Sequence, residues 1–160
     1  MADQGNEGLL SPFLRWRRIR AALPYIRGRV LDVGCGSGVL AGFVSPERYL
    51  GIDLDDDSLI SAKRKFPKHS FLSRFPAPEE QEKFDVVAAL AVIEHVPAPG
   101  DFLQMLSLYL NDNSSSLLIL TTPHPFGERI HGAGASLGLF SSHANEEHEE
   151  LLDRKRLELY

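Results

Sequence analysis

The sequence lacks the features that mark several large classes of protein. Its one cysteine cannot form a disulfide within the chain, which favours a reducing compartment, and we therefore expect a cytoplasmic protein. A formal net charge of −5 gives no general attraction to nucleic acid. The apolar runs are all shorter than the roughly 20 residues that span a bilayer. We expect neither a nucleic-acid partner nor an integral membrane segment.

Apolar and helix-forming stretches alternate along the chain. The sequence predicts five strands, over residues 29–34, 48–54, 69–73, 84–92 and 115–122. It predicts helices over 11–26, 39–44, 57–66 and 99–110, the third capped by Asp56 or Asp57 and ended by Pro67. Apolar strands separated by helices are typical of a parallel sheet covered on both faces. We expect one α/β domain over residues 1–160, a three-layer Rossmann-like sandwich with a mainly parallel sheet and frayed residues 1–10.

Three alternate glycines, Gly34, Gly36 and Gly38, follow the first predicted strand. Glycine weakens strands and helices, but it lets a backbone turn tightly and approach a ligand without an intervening Cβ. Ligands of open α/β sheets bind outside the carboxyl ends of the strands, which is where this loop lies. The loop therefore predicts a ligand site.

Two acids indicate what that ligand is. Asp53 ends the second predicted strand, 19 positions after Gly34, and its carboxylate suits the two hydroxyls of a ribose. Asp32, inside the first strand, would repel a pyrophosphate but attract an ammonium group. The dinucleotide pattern GxGxxG also requires glycine where the sequence has Val39. The residues favour an adenosine-type cofactor with a cationic amino-acid end; as an alternative, Asp32 merely bonds the amides of the loop.

Four motifs follow one another in the order VLDVGCGSG, GID, FDVVAALAVIEHV and LLILTTP. In this order they closely resemble the class I S-adenosylmethionine-dependent methyltransferases. The resemblance covers roughly residues 12–125 and is greatest to the small-molecule branch, which includes ubiquinone-biosynthesis and methyltransferase type 11/12-like domains. It implies S-adenosylmethionine as the cofactor and a small-molecule methyl acceptor that the sequence does not identify.

The resemblance also implies roles for individual residues. Asp32 and the glycine loop would hold the methionine end of the cofactor, and Asp53 would hold the ribose hydroxyls. Leu54 would flank the adenine, while Leu90 and Ala91 would line the sulfonium region. The loop residues concerned are Gly34, Cys35, Gly36, Ser37 and Gly38.

The adenine side departs from the family pattern. Family members often carry an acid after the third strand that binds the adenine amino group, whereas this chain has Ser73, Arg74 and Phe75 there. Packing of Phe75 on the adenine ring is the substitute contact that we consider. Without the acid, a binding module that has no turnover stays open as an alternative function. An NAD-dependent oxidoreductase is a second alternative, which Val39 disfavours.

Catalysis on an oxygen acceptor requires removal of a proton, and three histidines are candidate bases: His95, His124 and His131. In the resembling branch, Glu94 and His95 form a pair near the mouth of the site. His95 alternatively only orients the loop that follows the fourth strand. The spacing of the later histidines fits no zinc pattern, so we expect no metal. We expect Cys35 to be a small loop residue and not a nucleophile.

Four arginines, Arg15, Arg17, Arg18 and Arg20, surround Trp16 in the first predicted helix. Such a run either binds a phosphate or an anionic membrane surface, or forms a solvated face whose stems pack on the protein. We favour the solvated face.

The last part of the sequence contains fewer predicted strands than the resembling fold requires. The resembling fold has seven strands, but after a loop region over residues 123–146 we find only one further helical stretch, within 145–160. We therefore expect the fifth strand to be a sheet edge. Either the chain is a truncated piece of a longer protein, or a partner chain covers this edge.

Overall fold

The computed structural model describes residues 11–80 and 82–122. Three α-helices are present in this part of the chain: α1 (Ser11–Ala22), α2 (Asp56–Lys65) and α3 (Pro99–Ser107). The strands are β1 (Val30–Val33), β2 (Tyr49–Ile52), β3 (Ser70–Leu72), β4 (Val86–Leu90) and β5 (Leu117–Thr121). They form one sheet in the order β3-β2-β1-β4-β5, and every neighbouring pair is parallel. The prediction of five parallel strands is confirmed.

Helices cover both faces of the sheet. Alternate residues of a strand point to opposite faces, and in β1 Val30 packs with Ile19 of α1 and Leu59 of α2. Leu31, one position on, packs with Leu106 of α3 on the other face. Because the central strands are apolar on both sides, they are buried between helices, as parallel strands generally are. The α/β three-layer fold class is confirmed.

Local boundaries differ from the prediction in two places that affect the site. The helix predicted over 39–44 is a five-residue 3₁₀ helix, Val39–Phe43, because Gly42 is a weak helix former and Pro46 follows closely. The cap of α2 is Asp55, not Asp56 or Asp57: its backbone is extended, and its carboxylate accepts a hydrogen bond from the Ser58 amide at 2.9 Å.

The helices at either end of the described part are shorter than predicted. Helix α1 gives way to a 3₁₀ turn, Leu23–Tyr25, because Pro24 lacks the amide that an α-helix requires. Helix α3 ends at Ser107 and not at residue 110.

The fifth strand was expected to form an edge of the sheet. Within the described residues β5 pairs with β4 alone, and all five of its residues are half-buried. The expectations for residues 1–10, for the loop over 123–146 and for the helix within 145–160 lie outside the described residues.

Candidate active site

A cavity of about 530 Å³ lies where the strand order reverses, between the carboxyl ends of β1 and β4. Such a reversal leaves a crevice between loops that turn in opposite directions, and α/β proteins bind ligands there. Seven of the predicted site residues line the cavity: Asp32, Gly34, Cys35, Gly36, Ser37, Leu90 and Ala91. Gly38, Asp53, Leu54 and His95 do not line it, and His124 and His131 lie outside the described residues.

Asp32 is the buried charge of this cavity. Its side chain is 4% exposed, and one carboxylate oxygen accepts a hydrogen bond from the Tyr49 hydroxyl at 2.6 Å. Burial raises the pKa of Asp32 to about 7; the Tyr49 hydroxyl lowers it, and the nearby Asp53 charge raises it. A buried carboxylate that faces a cavity is strongly stabilised by a cation placed there.

The three glycines of the loop have different surroundings, although all have positive φ angles. A Cβ added at Gly36 would meet no protein atom within 4 Å, so this backbone faces open space in the cavity. At Gly34 it would lie 2.4 Å from Val92, and at Gly38 it would lie 3.1 Å from the Phe71 ring. Gly36 therefore leaves room for a ligand, whereas Gly34 and Gly38 leave room for the protein's own side chains.

Asp53 bonds the glycine loop from the end of β2. Its carboxylate accepts hydrogen bonds from the Gly36 amide at 2.6 Å and from the Asp55 amide at 2.9 Å. Among the described residues, no loop amide donates to Asp32, so the amide-bonding role considered for Asp32 belongs to Asp53. Each oxygen of Asp53 keeps acceptor capacity, since an ionised carboxylate has about four acceptor positions. Leu54, the next residue, is 83% exposed.

Cys35 is a packed residue of the loop and not a reactive one. It is 8% exposed and belongs to the apolar cluster between the sheet and helices α1 and α2. Burial and the nearby carboxylates of Asp32 and Asp53 raise the pKa of the thiol, so the thiolate needed for nucleophilic attack does not form at neutral pH.

The chain leaves β4 in a strained conformation beside the cavity. Ala91 has a φ of +60°, a left-handed conformation that costs an alanine about 1 kcal/mol or more. Its amide donates to the Thr121 carbonyl at 2.9 Å, which holds the turn in place. Strain of this kind persists where the surroundings enforce it and is concentrated at functional sites.

The Glu94–His95 pair lies in a 3₁₀ turn, Ile93–His95, directly after this strained residue. The Glu94 side chain is buried, whereas His95 is exposed and is not among the residues that line the cavity. Burial lowers the pKa of the half-buried Arg18 guanidinium, and the Glu94 charge opposes that change. Glu94 is thus close enough to Arg18 for a favourable electrostatic interaction.

The arginines of α1 divide between two faces of the helix. Arg15 and Arg18, three positions apart, line the cavity together with the buried Ile19. Arg17 lies over the Phe13 ring and Arg20 over the Trp16 ring, and both rings are about half exposed. Arg15 is exposed, as expected for a solvated face, and Arg18 is half-buried; that both also line the cavity was not predicted. Their spacing from Ile19 was the available signal, because residues at i, i+3 and i+4 share a face.

Helix α2 supplies a further polar wall that we did not predict. Ser58, Ser61 and Lys65 follow helical spacing and line the cavity. We attribute the exposure of α2 to the cavity to the connection between β1 and β2. This connection contains short 3₁₀ turns and no α-helix that would separate α2 from the cavity.

The adenine side is open in the structure. Ser73 and Arg74, which stand where the family often has an acid, are exposed. Phe75 packs on Tyr109, with ring centroids 5.5 Å apart, and joins the apolar cluster under α3. Phe75 does not line the cavity, so packing of its ring on adenine finds no support here.

Residues 11–80 and 82–122 lack a metal cluster and a membrane-spanning helix. This part of the chain contains no group of three or more histidine, cysteine or acidic side chains placed to bind one metal ion. It also contains no helix with both the length and the apolar character needed to cross a bilayer.

Comparison with known proteins identifies the family. A family model described as a methyltransferase domain matches residues 12–158. Ubiquinone biosynthesis O-methyltransferases from Leptothrix cholodnii and Bradyrhizobium diazoefficiens are 33% and 35% identical over 89 and 101 residues, which are 49% and 59% of this chain. The matched parts are 38% and 39% of those relatives' lengths, so the similarity concerns well under half of each relative.

A solved S-adenosylmethionine-dependent methyltransferase from Archaeoglobus fulgidus has the same fold. It superposes with a TM-score of 0.65 at 22% identity, covering 92% of this chain and 65% of that one. Identity at this level supports the fold alone, while the family model spans nearly the whole chain. The chain belongs to the methyltransferase-domain family.

Proposed function

We propose that the chain binds S-adenosylmethionine in the cavity and transfers its methyl group to a small-molecule acceptor. The observation that carries this proposal is that groups of opposite charge line one cavity: the buried Asp32 carboxylate and the guanidinium groups of Arg15 and Arg18. An amino acid carries an ammonium and a carboxylate on one carbon, so it needs an anion and a cation close together. A dinucleotide offers no ammonium for Asp32.

The loop fits the same ligand. Gly36 leaves open space where any side chain would project into the cavity. Asp53 fixes the Gly36 amide while retaining acceptor positions for ribose hydroxyls. Leu54 has an exposed apolar side chain beside it that an adenine ring would cover. These residues would hold the adenosyl end of the cofactor, with Leu90 and Ala91 near the sulfonium.

The bound cofactor supplies a methyl group already activated by its sulfonium charge. The chain's own residues then hold the methyl donor and the acceptor in line, and positioning of this kind accounts for much of the rate. The matching relatives are named O-methyltransferases, and we extend an oxygen acceptor to this chain. Such an acceptor needs a base, for which His95, His124 and His131 are our candidates.

Calorimetry of the full chain with S-adenosylhomocysteine and, in parallel, with NAD tests the binding step. We expect binding of S-adenosylhomocysteine alone. Binding of NAD alone would point to an oxidoreductase, and absence of both would overturn the assignment. The open adenine side favours one second candidate, a cofactor-binding module without turnover. Transfer of a labelled methyl group to any member of a panel of phenols and other small acceptors would exclude it.

Removal of the base is tested one histidine at a time. Changing His95, His124 or His131 to glutamine should lower turnover roughly 10²- to 10⁴-fold for the residue that acts as base. Affinity for S-adenosylhomocysteine is the internal control and should stay unchanged. If all three variants retain turnover within a fewfold, the acceptor needs no base from this set.

We also propose a cytoplasmic location, on the basis of the single buried cysteine. Within the described residues β5 is paired on one side, and a partner chain that covers its other side remains our prediction, since an uncovered edge presents unpaired backbone groups.

A further inference from the structure

Tyr49 is a buried residue that neither the sequence motifs nor the family comparison assigns to the site. It begins β2, is 4% exposed and does not line the cavity. Its hydroxyl nevertheless donates to Asp32, across the sheet, at 2.6 Å. We propose that Tyr49 is a positioning residue, which orients the Asp32 carboxylate and keeps it charged for the ammonium group of the cofactor. This inference rests on the proposed function.

The register explains how the hydroxyl reaches Asp32. Tyr49 pairs with Val30, and Asp32 pairs with Gly51, two residues further along both strands. Two residues of a strand span about 6.6 Å, so the tyrosine side chain has to extend along the sheet toward its carboxyl edge. Gly51, the strand partner of Asp32, leaves room for the neighbouring Phe71 ring and the Cys35 sulfur: a Cβ there would lie 2.7 Å from the first and 2.9 Å from the second.

Neighbouring rings hold Tyr49 in this position. His69 and Phe71 contact it edge to face, with centroids 5.5 and 5.7 Å away. His69 is itself fixed, because its Nε2 bonds the Val44 carbonyl at 2.9 Å. Edge-to-face contacts are a favoured geometry of aromatic pairs and stabilise this orientation of the buried ring. The Tyr49 hydroxyl is therefore placed before any ligand binds.

A fixed donor on one carboxylate oxygen has two effects. It sets the plane of the Asp32 carboxylate and leaves the other oxygen to accept from a ligand. It also stabilises the charged form, because a hydrogen bond to an ionised group favours ionisation. Without the hydroxyl, burial and the Asp53 charge would raise the Asp32 pKa further above its value of about 7.

Other ionisable groups face Asp32 from the surrounding elements. Asp53 directly follows β2 and Cys35 lies in the loop, and both groups interact electrostatically with Asp32. The cavity walls add Arg15 and Arg18 from α1 and Asp55 and Lys65 at α2. All of these remain when the Tyr49 hydroxyl alone is removed, so a change on removal reports that hydroxyl.

The test compares two tyrosine-to-phenylalanine variants of the full chain. Tyr109 is the matched control: it is 3% exposed, and its hydroxyl donates to the Pro76 carbonyl at 2.7 Å, away from the cavity. Affinity for S-adenosylhomocysteine is measured by calorimetry between pH 5.5 and 8.5. We expect Tyr49→Phe to bind roughly tenfold more weakly at pH 7, with the midpoint of its pH profile raised by about one unit. Tyr109→Phe should keep the wild-type affinity and midpoint.

A second readout needs no cofactor. ¹³C NMR of the aspartate carboxyl groups, with the Asp32 signal identified by its loss in Asp32→Asn, should show a higher Asp32 pKa in Tyr49→Phe than in the wild type. If Tyr49→Phe does not fold, incorporation of 3-fluorotyrosine keeps the ring and gives a more acidic hydroxyl. This stronger donor should lower the midpoint pH of the affinity profile relative to that of the wild type with ordinary tyrosine.

The outcomes separate the two proposals. If the wild-type chain does not bind S-adenosylhomocysteine, the proposed function is overturned and the role of Tyr49 falls with it. If the wild type binds while Tyr49→Phe, or the fluorinated protein, has the wild-type affinity, midpoint and Asp32 pKa, only the role of Tyr49 is overturned.

Discussion

The two acids beside the glycine loop lie in contrasting settings. Asp32 is almost fully buried and takes its hydrogen bond from a side chain, the Tyr49 hydroxyl. Asp53 is half-buried and takes its hydrogen bonds from backbone amides of the loop and of the α2 cap. Around Asp32 the cavity is lined by α1, whereas around Asp53 the neighbouring Leu54, Ser73 and Arg74 are exposed. The end of the site that would hold the amino acid is thus preformed, and the adenosine end is shaped largely by the loop itself.

The glycine loop lies between the amino-acid end and the adenosine end of the site. Filling the space beside this loop should therefore have the largest effect on cofactor binding. Gly36→Val should abolish detectable binding of S-adenosylhomocysteine, because its side chain would fill the space that a ligand needs. The same change at Gly38 is a matched control in the same loop, also at positive φ. There the added atoms meet Phe71 and Ala62, so Gly38→Val should mainly lower the free energy of unfolding. Wild-type affinity in Gly36→Val would show that the loop has another task.

The buried acid should give the next largest effect, with opposite consequences for binding and stability. Asp32→Asn removes the charge but keeps an oxygen that can accept from Tyr49. We expect binding of S-adenosylhomocysteine to weaken about 100-fold at pH 8, as for loss of a buried charge contact. Calorimetry measures this loss.

The stability of the same variant depends on pH. The folded-state pKa of Asp32, about 7, lies above its unfolded value of about 4, so the wild type loses stability as the pH rises from about 4 to 7. Asp32→Asn has no carboxyl group to ionise, so its free energy of unfolding should exceed that of the wild type by about 2–4 kcal/mol at pH 8. No such difference is expected at pH 4. Equal denaturation midpoints of the two proteins at pH 8 would contradict the raised pKa of the buried Asp32.

The contrast between the acids also marks how far the sequence predicts the structure. The apolar runs predicted all five strands, and the glycines and acids predicted a site at their carboxyl ends. Which atoms each acid bonds depends on the register of β1 and β2, through which Tyr49 reaches Asp32 across 17 positions of sequence. Arg15 and Arg18 were missed for a similar reason: their spacing from Ile19 indicates a shared face of α1, but the docking of that face at the cavity depends on tertiary packing.

The adenosine end should respond less strongly. Asp53→Ala should weaken S-adenosylhomocysteine by about 1.5–3 kcal/mol, the range for hydrogen bonds to a charged group. Part of this loss would come from the Gly36 amide that Asp53 holds. An analogue without the ribose 2′-hydroxyl separates the two causes: it should bind more weakly than the parent to the wild type, but equally to Asp53→Ala. A full penalty for the analogue in Asp53→Ala would remove Asp53 from the ribose site.

The smallest effect should come from Leu54, which tests whether adenine completes the open end. Its side chain is 83% exposed, so truncation in Leu54→Ala should leave the free energy of unfolding within about 0.5 kcal/mol. If adenine packs on this side chain, part of the apolar area is buried only in the complex, at about 25 cal/mol per Å². We expect S-adenosylhomocysteine to bind about threefold to fivefold more weakly to the variant. Ile60→Ala, an exposed apolar residue of α2 outside the cavity lining, is the matched control and should bind as the wild type does. If Leu54→Ala also binds as the wild type does, adenine does not pack on Leu54. The open end of the site would then not be the adenosine end, which would contradict the comparison made above.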